Sequence, residues 1–222
     1  MQASAPTAVF DFDHTLTSWD TAARFFAWLL RRSPLRLLIG APVALLLGPF
    51  AVFRRTRRVP LRFAVWLATF GRGHEQLRAL AVRHIAQVTA DGERFLREEA
   101  RAQVISHQSH GHTVVIVTGA LEYLAREILA NAGIENVTVV GSSLRSFLGG
   151  MIADQHCFGE RKIPMLRERG IDPPWSFVYS DSEADLPLLR AGSRQFLVNP
   201  TARTAAYLIP ILGRSATVVR WR

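Results

Sequence analysis

The sequence predicts an α/β fold, a three-layer core with a parallel sheet into which an α-helical cap is inserted. Three observations predict it. Short apolar runs rich in β-branched residues alternate with helical patterns over most of the chain, as the strands of a parallel sheet alternate with their crossover helices. Several of these runs stop at a polar or acidic residue. One long stretch after the first run is helical in pattern throughout and carries no strand signal, so it stands outside the alternation.

Residues 8–12 read as a short buried strand that runs straight into Asp11 and Asp13, leaving acids at its carboxyl end. Residues 19–90, rich in Leu and Arg, form the helical cap. A helical pattern over 92–107 and a turn at Gly111 lead into a second strand over 113–117, which ends in Thr118-Gly119-Ala120 and a helix over 121–131. Residues 137–140, 176–179 and 195–198 supply three more strands, with helices over 162–169 and 184–191 between them. Gly149 and Gly150 mark a turn in a small excursion between Gly141 and Phe158. The chain thus divides into a core of residues 1–18 and 91–222 and a cap of residues 19–90. The core is Rossmann-like, and in open sheets of that kind ligands gather at the carboxyl ends of the strands, where the polar residues of interest lie.

Composition narrows the partners. The chain has 222 residues, 49% of them hydrophobic, enough to bury one sizeable core. Lys and Arg number 27 against 18 Asp and Glu, a net charge of +9, which favours anionic partners. The basic residues are not interleaved with aromatic ones as in RNA-binding segments, so nucleic acid is set aside and an anionic membrane surface remains. No obligate protein partner is inferred. Cys157 is the single cysteine and cannot form an internal disulfide, and the first eight residues lack the basic start and apolar stretch of an export signal. The expectation is a cytoplasmic setting.

The acids and their neighbours carry chemistry. Phosphoryl transfer needs a positioned nucleophile, cations that spread charge over the equatorial oxygens, and a proton donor for the leaving group. Asp11 and Asp13 lie two residues apart just past a strand, where one carboxylate can attack phosphorus and the other protonate the leaving oxygen. A Mg2+ ion, which wants hard oxygen ligands, suits the Asp11 carboxylate, the backbone carbonyl of Asp13 and the distant carboxylate of Asp181. Thr118 and Gly119 are placed to cradle a phosphate, and Lys162 to neutralise it. By contrast, His107, His110 and His112 precede a strand at its far end from the acids and read as a solvated loop rather than a metal site. His14, inside the acidic turn, reads either as a substrate contact or as a turn residue.

These residues also carry a resemblance. Asp11-Phe12-Asp13-His14-Thr15-Leu16-Thr17, Thr118-Gly119, Lys162, and Tyr179-Ser180-Asp181-Ser182-Glu183-Ala184-Asp185 resemble, in order, the four motifs of the haloacid dehalogenase superfamily. The resemblance implies a phosphatase with Asp11 as nucleophile, Asp13 as general acid and base, Thr118 as phosphate ligand and Lys162 as charge clamp. It places Asp181 with Asp185 around the magnesium and leaves Thr15 in support. A helical insert just after the first motif is similar to the phosphoserine phosphatase-like branch. Phe25-Phe26, Leu29 to Leu35 and Thr69-Phe70-Gly71 further resemble the phosphatidylglycerophosphatase C family, which dephosphorylates a phospholipid precursor. That resemblance implies a lipid phosphate as substrate and a station on the cytoplasmic face of the inner membrane.

The insert fits such a station. Residues 37–53 are 17 positions without a charge, flanked by Arg31, Arg32 and Arg36 on one side and Arg54, Arg55, Arg57 and Arg58 on the other. A 17-residue helix reaches roughly 26 Å, short of a hydrocarbon core of about 30 Å, and Pro42 and Pro49 are expected to interrupt it. A single crossing would also strand Asp11 on the opposite side from Thr118, Lys162 and Asp181. The expectation is a bent hairpin in one leaflet or an interfacial segment, both basic flanks on one side. The competing expectation is that the run is the buried core of the cap of an enzyme acting on a small soluble phosphomonoester.

Overall fold

The protein is described by a computed structural model over residues 5–52 and 58–222. Its strands are β1 (Thr7–Asp11), β2 (Thr113–Leu121), β3 (Thr138–Ser142), β4 (Leu144–Phe147), β5 (Gly150–Ala153), β6 (Trp175–Ser180), β7 (Gly192–Val198) and β8 (Ala216–Val219). Its helices are α1 (Thr21–Arg31), α2 (Pro34–Val52), α3 (Arg58–Thr69), α4 (His74–Ala90), α5 (Glu98–Ser109), α6 (Glu122–Asn131), α7 (Lys162–Arg167), α8 (Leu186–Arg190) and α9 (Ala202–Leu212). Six strands form one parallel sheet in the order β3-β2-β1-β6-β7-β8, and β4 with β5 forms a separate antiparallel hairpin.

Both faces of the sheet are covered, which explains why its strands read as continuous apolar runs. Side chains alternate across the pleat. Phe10, Ile116, Val139 and Tyr179 face one layer, where they meet Phe25 and Leu29 of α1, Leu77 and Ala81 of α4, Val104 of α5 and Leu124 of α6. Val9, Val115, Val117, Val140 and Val178 face the other, against Leu166, Leu188 and Leu208. Phe10, fully buried, stacks on Tyr179 with centroids 4.3 Å apart.

The connectivity positions the site. From β1 the chain runs outward on one side through β2 to β3, then returns to the other side of β1 as β6. The order therefore reverses between β1 and β6, and the carboxyl ends of those two strands carry Asp11 and Asp181. Beyond Asp11 the chain closes a turn in which the carbonyl of Phe12 accepts from the amides of Leu16 (2.8 Å) and Thr17 (3.0 Å). His14 takes the left-handed conformation there, φ 60°.

Four sequence readings are corrected. The run containing Pro42 and Pro49 is helical without a break over Pro34–Val52, because a proline removes one hydrogen bond and can bend a helix rather than end it; residues 53–57, with Phe53, Arg54, Arg55 and Arg57, lie outside the described residues. The helix read over 92–107 begins only at Glu98, since Gly92, at φ 79°, closes the end of α4. The second strand continues past Val117 through an irregularity to Leu121, so Thr118 and Gly119 belong to its end. His107 is not in a solvated loop: it is buried on α5, with Nε2 2.9 Å from the Tyr179 hydroxyl and Nδ1 2.8 Å from Nδ1 of His112.

The helices of the insert behave differently from one another. α1 and α4 share the apolar cluster of the sheet. α2 and α3 run antiparallel: Arg36, early in α2, donates to the carbonyls of Ala68 (2.7 Å) and Phe70 (2.6 Å) at the end of α3, and Gly40 abuts Leu67. Leu38 is 72% and Leu45 82% exposed on α2. None of the described helices is long and apolar enough to cross a membrane.

Candidate active site

The sheet brings Asp11, Thr15, Lys162, Asp181 and Asp185 into one cluster, although their positions span most of the chain. Lys162 Nζ donates to Asp11 Oδ1 (2.5 Å) and Asp185 Oδ2 (2.6 Å), all three side chains being buried. The Thr15 hydroxyl lies 2.9 Å from Asp11 Oδ2 and 3.0 Å from Asp181 Oδ1, and its oxygen accepts from the amide of Asp181 (3.1 Å). Thr15 thus ties the first strand end to the fourth motif. Ser180 Oγ donates to Asp185 Oδ2 (2.8 Å), which explains why Asp185 is a buried member of the cluster and not an exposed helix-terminal acid.

Electrostatics make the cluster expensive as it stands. Burial pushes the carboxyls of Asp11, Asp181 and Asp185 upward, and their mutual repulsion adds to it. Burial alone would lower Lys162, but Asp11 and Asp185 more than offset this and hold it raised, so it stays charged. One ammonium faces three carboxylates. A second cation with a preference for hard oxygen donors fits that imbalance, with Asp11 and Asp181 converging through Thr15 to hold it. Among the described residues no three His, Cys, Asp or Glu side chains form a metal-ligand group, which is compatible with a site whose third protein ligand is the Asp13 carbonyl.

The Asp13 side chain is engaged elsewhere. Its Oδ1 accepts from both the amide (2.9 Å) and the hydroxyl (2.7 Å) of Thr21, the first residue of α1. Burial raises its pKa to about 6, with the Thr21 hydrogen bonds opposing. It can therefore exchange a proton near neutrality, as a general acid and base must. Thr21 was not singled out by the sequence reading, and Ser180 was named there within the fourth motif without a role. The only signal for Thr21 was the Asp20 cap, whose Oδ1 accepts from the amide of Ala23 and starts α1 at that point.

Thr118 is buried at the end of β2, its Oγ1 accepting from the amide of Ala120 (2.9 Å). Gly119 follows, and its carbonyl accepts from Ser142 Oγ (2.7 Å) at the end of β3. A Cβ on Gly119 would meet the Cys157 carbonyl and Phe158 at ordinary van der Waals distances, so packing does not demand a glycine there.

A parallel sheet with a buried aspartate at the carboxyl end of its central strand, a lysine clamp on it and a tunable acid two residues later defines a hydrolase of the phosphatase class. The haloacid dehalogenase-like hydrolase family matches residues 8–190, and the chain belongs to it. Many solved structures share the fold, among them the following three. A protein of unknown function from Bordetella pertussis Tohama I superposes with a TM-score of 0.68 at 21% identity, covering 97% of this chain and 99% of that one. A phosphoserine phosphatase in apo form gives 0.57 at 16% identity, covering 97% and 92%. Cytosolic 5'-nucleotidase IIIB bound to cytidine gives 0.55 at 12%, covering 97% and 80%.

Proposed function

We propose that the protein is a magnesium-dependent phosphomonoesterase that forms an aspartyl-phosphate on Asp11 and removes the phosphate of a phospholipid such as phosphatidylglycerophosphate. The observation that carries the chemistry is the pairing of a lysine-clamped Asp11 with an Asp13 that burial raises to a pKa of about 6 against the opposing Thr21 hydrogen bonds. The Asp11 carboxylate attacks phosphorus; the bond from phosphorus to the leaving oxygen breaks, and that oxygen takes the proton of Asp13. Asp13, now ionised, accepts a proton from water as the water attacks phosphorus, which releases inorganic phosphate and restores the Asp11 carboxylate. Lys162 neutralises Asp11 and the incoming phosphoryl oxygens, and Thr118 with Gly119 binds them. Asp11, Asp181 and the Asp13 carbonyl would hold Mg2+, which supplies further positive charge at the phosphoryl oxygens.

The substrate reading rests on the exposed apolar side chains of α2 and on the arginines that flank that helix. Side chains such as Leu38 and Leu45 would have to be shielded if the helix were only the core of a cap, whereas a lipid surface covers them. The protein would then work at the cytoplasmic face of the inner membrane. The fold shared with phosphoserine phosphatase supports a second reading, a small soluble phosphomonoester. A phosphate-release screen separates them. Phosphatidylglycerophosphate and lysolipid phosphates in detergent or anionic vesicles should be hydrolysed at least tenfold faster, in kcat/KM, than phosphoserine and nucleotides. The opposite ranking, unaffected by detergent, would reject the lipid substrate.

A further inference from the structure

The inference here rests on the membrane reading above and adds a second point of contact. In the turn between β4 and β5, Leu148 is 75% and Phe147 44% exposed; Phe70, beside them at the end of α3, is 45% exposed. Leu148 adopts φ 44°, a left-handed conformation that is costly for a bulky residue and persists only where its surroundings impose it. Here they do. Trp66 Nε1 donates to the Phe147 carbonyl (3.0 Å), the Gly71 amide to the Gly149 carbonyl (2.6 Å), and the Met151 amide to Thr69 Oγ1 (2.8 Å). A Cβ on Gly150 would stand 2.7 Å from the Trp66 backbone oxygen, so β5 lies directly against α3. The tip is bolted to the helical hairpin as one apolar patch.

Charge identifies what covers it. Residues 21–74 contain ten arginines and no Asp or Glu, and residues 136–153 contain no acid either. At the foot of the patch Arg36 and Arg72 both donate to the Ala68 carbonyl, and neither has a carboxylate partner among the described residues. Each guanidinium has five N–H donors, so several remain for a ligand. The Arg145 guanidinium stands 6.0 Å from the centre of the Phe147 ring. A second copy of the chain would set arginines against arginines, whereas an anionic bilayer offers acyl chains to the tip and phosphates to the arginines.

We propose that the Phe147–Leu148 turn is a second membrane-inserting element, which with α2 and α3 seats the protein at two points on an anionic bilayer. The hairpin begins two residues beyond Ser142, which holds the carbonyl of Gly119, so the seat sets the orientation of the catalytic cleft to the lipid surface. The test is Leu148→Cys carrying an environment-sensitive fluorophore; the native Cys157 is buried and stays unlabelled. On phosphatidylglycerol vesicles the emission should shift to the blue and rise at least twofold, as should the same label on Leu45→Cys. Phe147→Ser with Leu148→Ser should weaken vesicle cosedimentation about tenfold at an unchanged melting temperature; should that double variant fail to fold, the labelled protein still decides. A response from Leu45 but none from Leu148 overturns the second contact and leaves the membrane reading standing. No response from either overturns both. A response that follows protein concentration without vesicles makes the patch a contact between copies and overturns the proposal.

Discussion

The acid-lined end of the sheet and the α2–α3 hairpin follow opposite rules. At the sheet end, Asp11 and Asp185 bind one lysine, Asp181 joins them through Thr15 and Asp13 is held by Thr21, and burial works against every one of these charges. Along the hairpin there is no acid at all, and large apolar side chains stand in the open. On the proposed function, a cation would offset the surplus of carboxylates in the first region, and an apolar, anionic surface would cover the second.

Substitutions in the first region should stop the chemistry on every substrate. Asp11→Asn replaces the nucleophile with an amide and should lower kcat on the order of 10^4-fold or more, for soluble and lipid phosphates alike. Asp13→Asn should cost about 10^2 to 10^4-fold in kcat, with less change in KM, the mark of a lost proton donor. Thr21→Val removes one of the two hydrogen bonds on Asp13, worth about 1 kcal/mol, and should lower kcat roughly fivefold. An equal loss on KM alone would make Asp13 a binding group.

The second region should separate substrates. Leu38→Asp with Leu45→Asp should lower vesicle binding and turnover of lipid phosphates at least about tenfold while leaving turnover of a soluble phosphomonoester within about twofold. Parallel losses on both substrates would mean that the hairpin serves the fold and not a membrane.

A smaller effect concerns the helices that join the two. His84 of α4, buried against Phe25 and Trp28, has neither ring nitrogen hydrogen-bonded among the described residues, and burial lowers its pKa to about 4. A histidine whose folded pKa is depressed stabilises above its unfolded pKa of about 6.5 and loses that contribution as pH falls towards 4. Between those limits wild type should lose about 1.4 kcal/mol per pH unit relative to His84→Leu, measured by denaturant unfolding. A pH-independent difference would show that His84 stays neutral in the unfolded chain too or is charged in the folded one.

Five of the six sheet strands and the principal acids were legible because those strands announce themselves by short runs of β-branched and aromatic residues, and Asp11, Asp13 and Asp181 lie at or just past the end of one. What depends on distant docking was not. Thr21 holds Asp13 only because α1 starts where Asp20 caps it, and although the fourth motif placed Asp185 beside Asp181, nothing in the sequence showed that Lys162, 23 residues earlier, binds its carboxylate. His107 looked solvated because its burial comes from Tyr179, 72 residues away. Pro42 and Pro49 misled in the opposite direction, since local propensity argued for a break that α2 does not show. The last strand, Ala216–Val219, is four residues long and gains its place only by pairing with β7.

The central claim is the covalent role of Asp11, and trapping the enzyme during turnover tests it most directly. Rapid acid quench with a labelled phosphomonoester, or a beryllofluoride adduct followed by mass spectrometry or NMR, should place the phosphoryl group or its analogue on the peptide containing Asp11 and on no other. Asp11→Asn should abolish the signal. Phosphate release that continues within tenfold of wild type in Asp11→Asn, or label on another residue, would contradict the account.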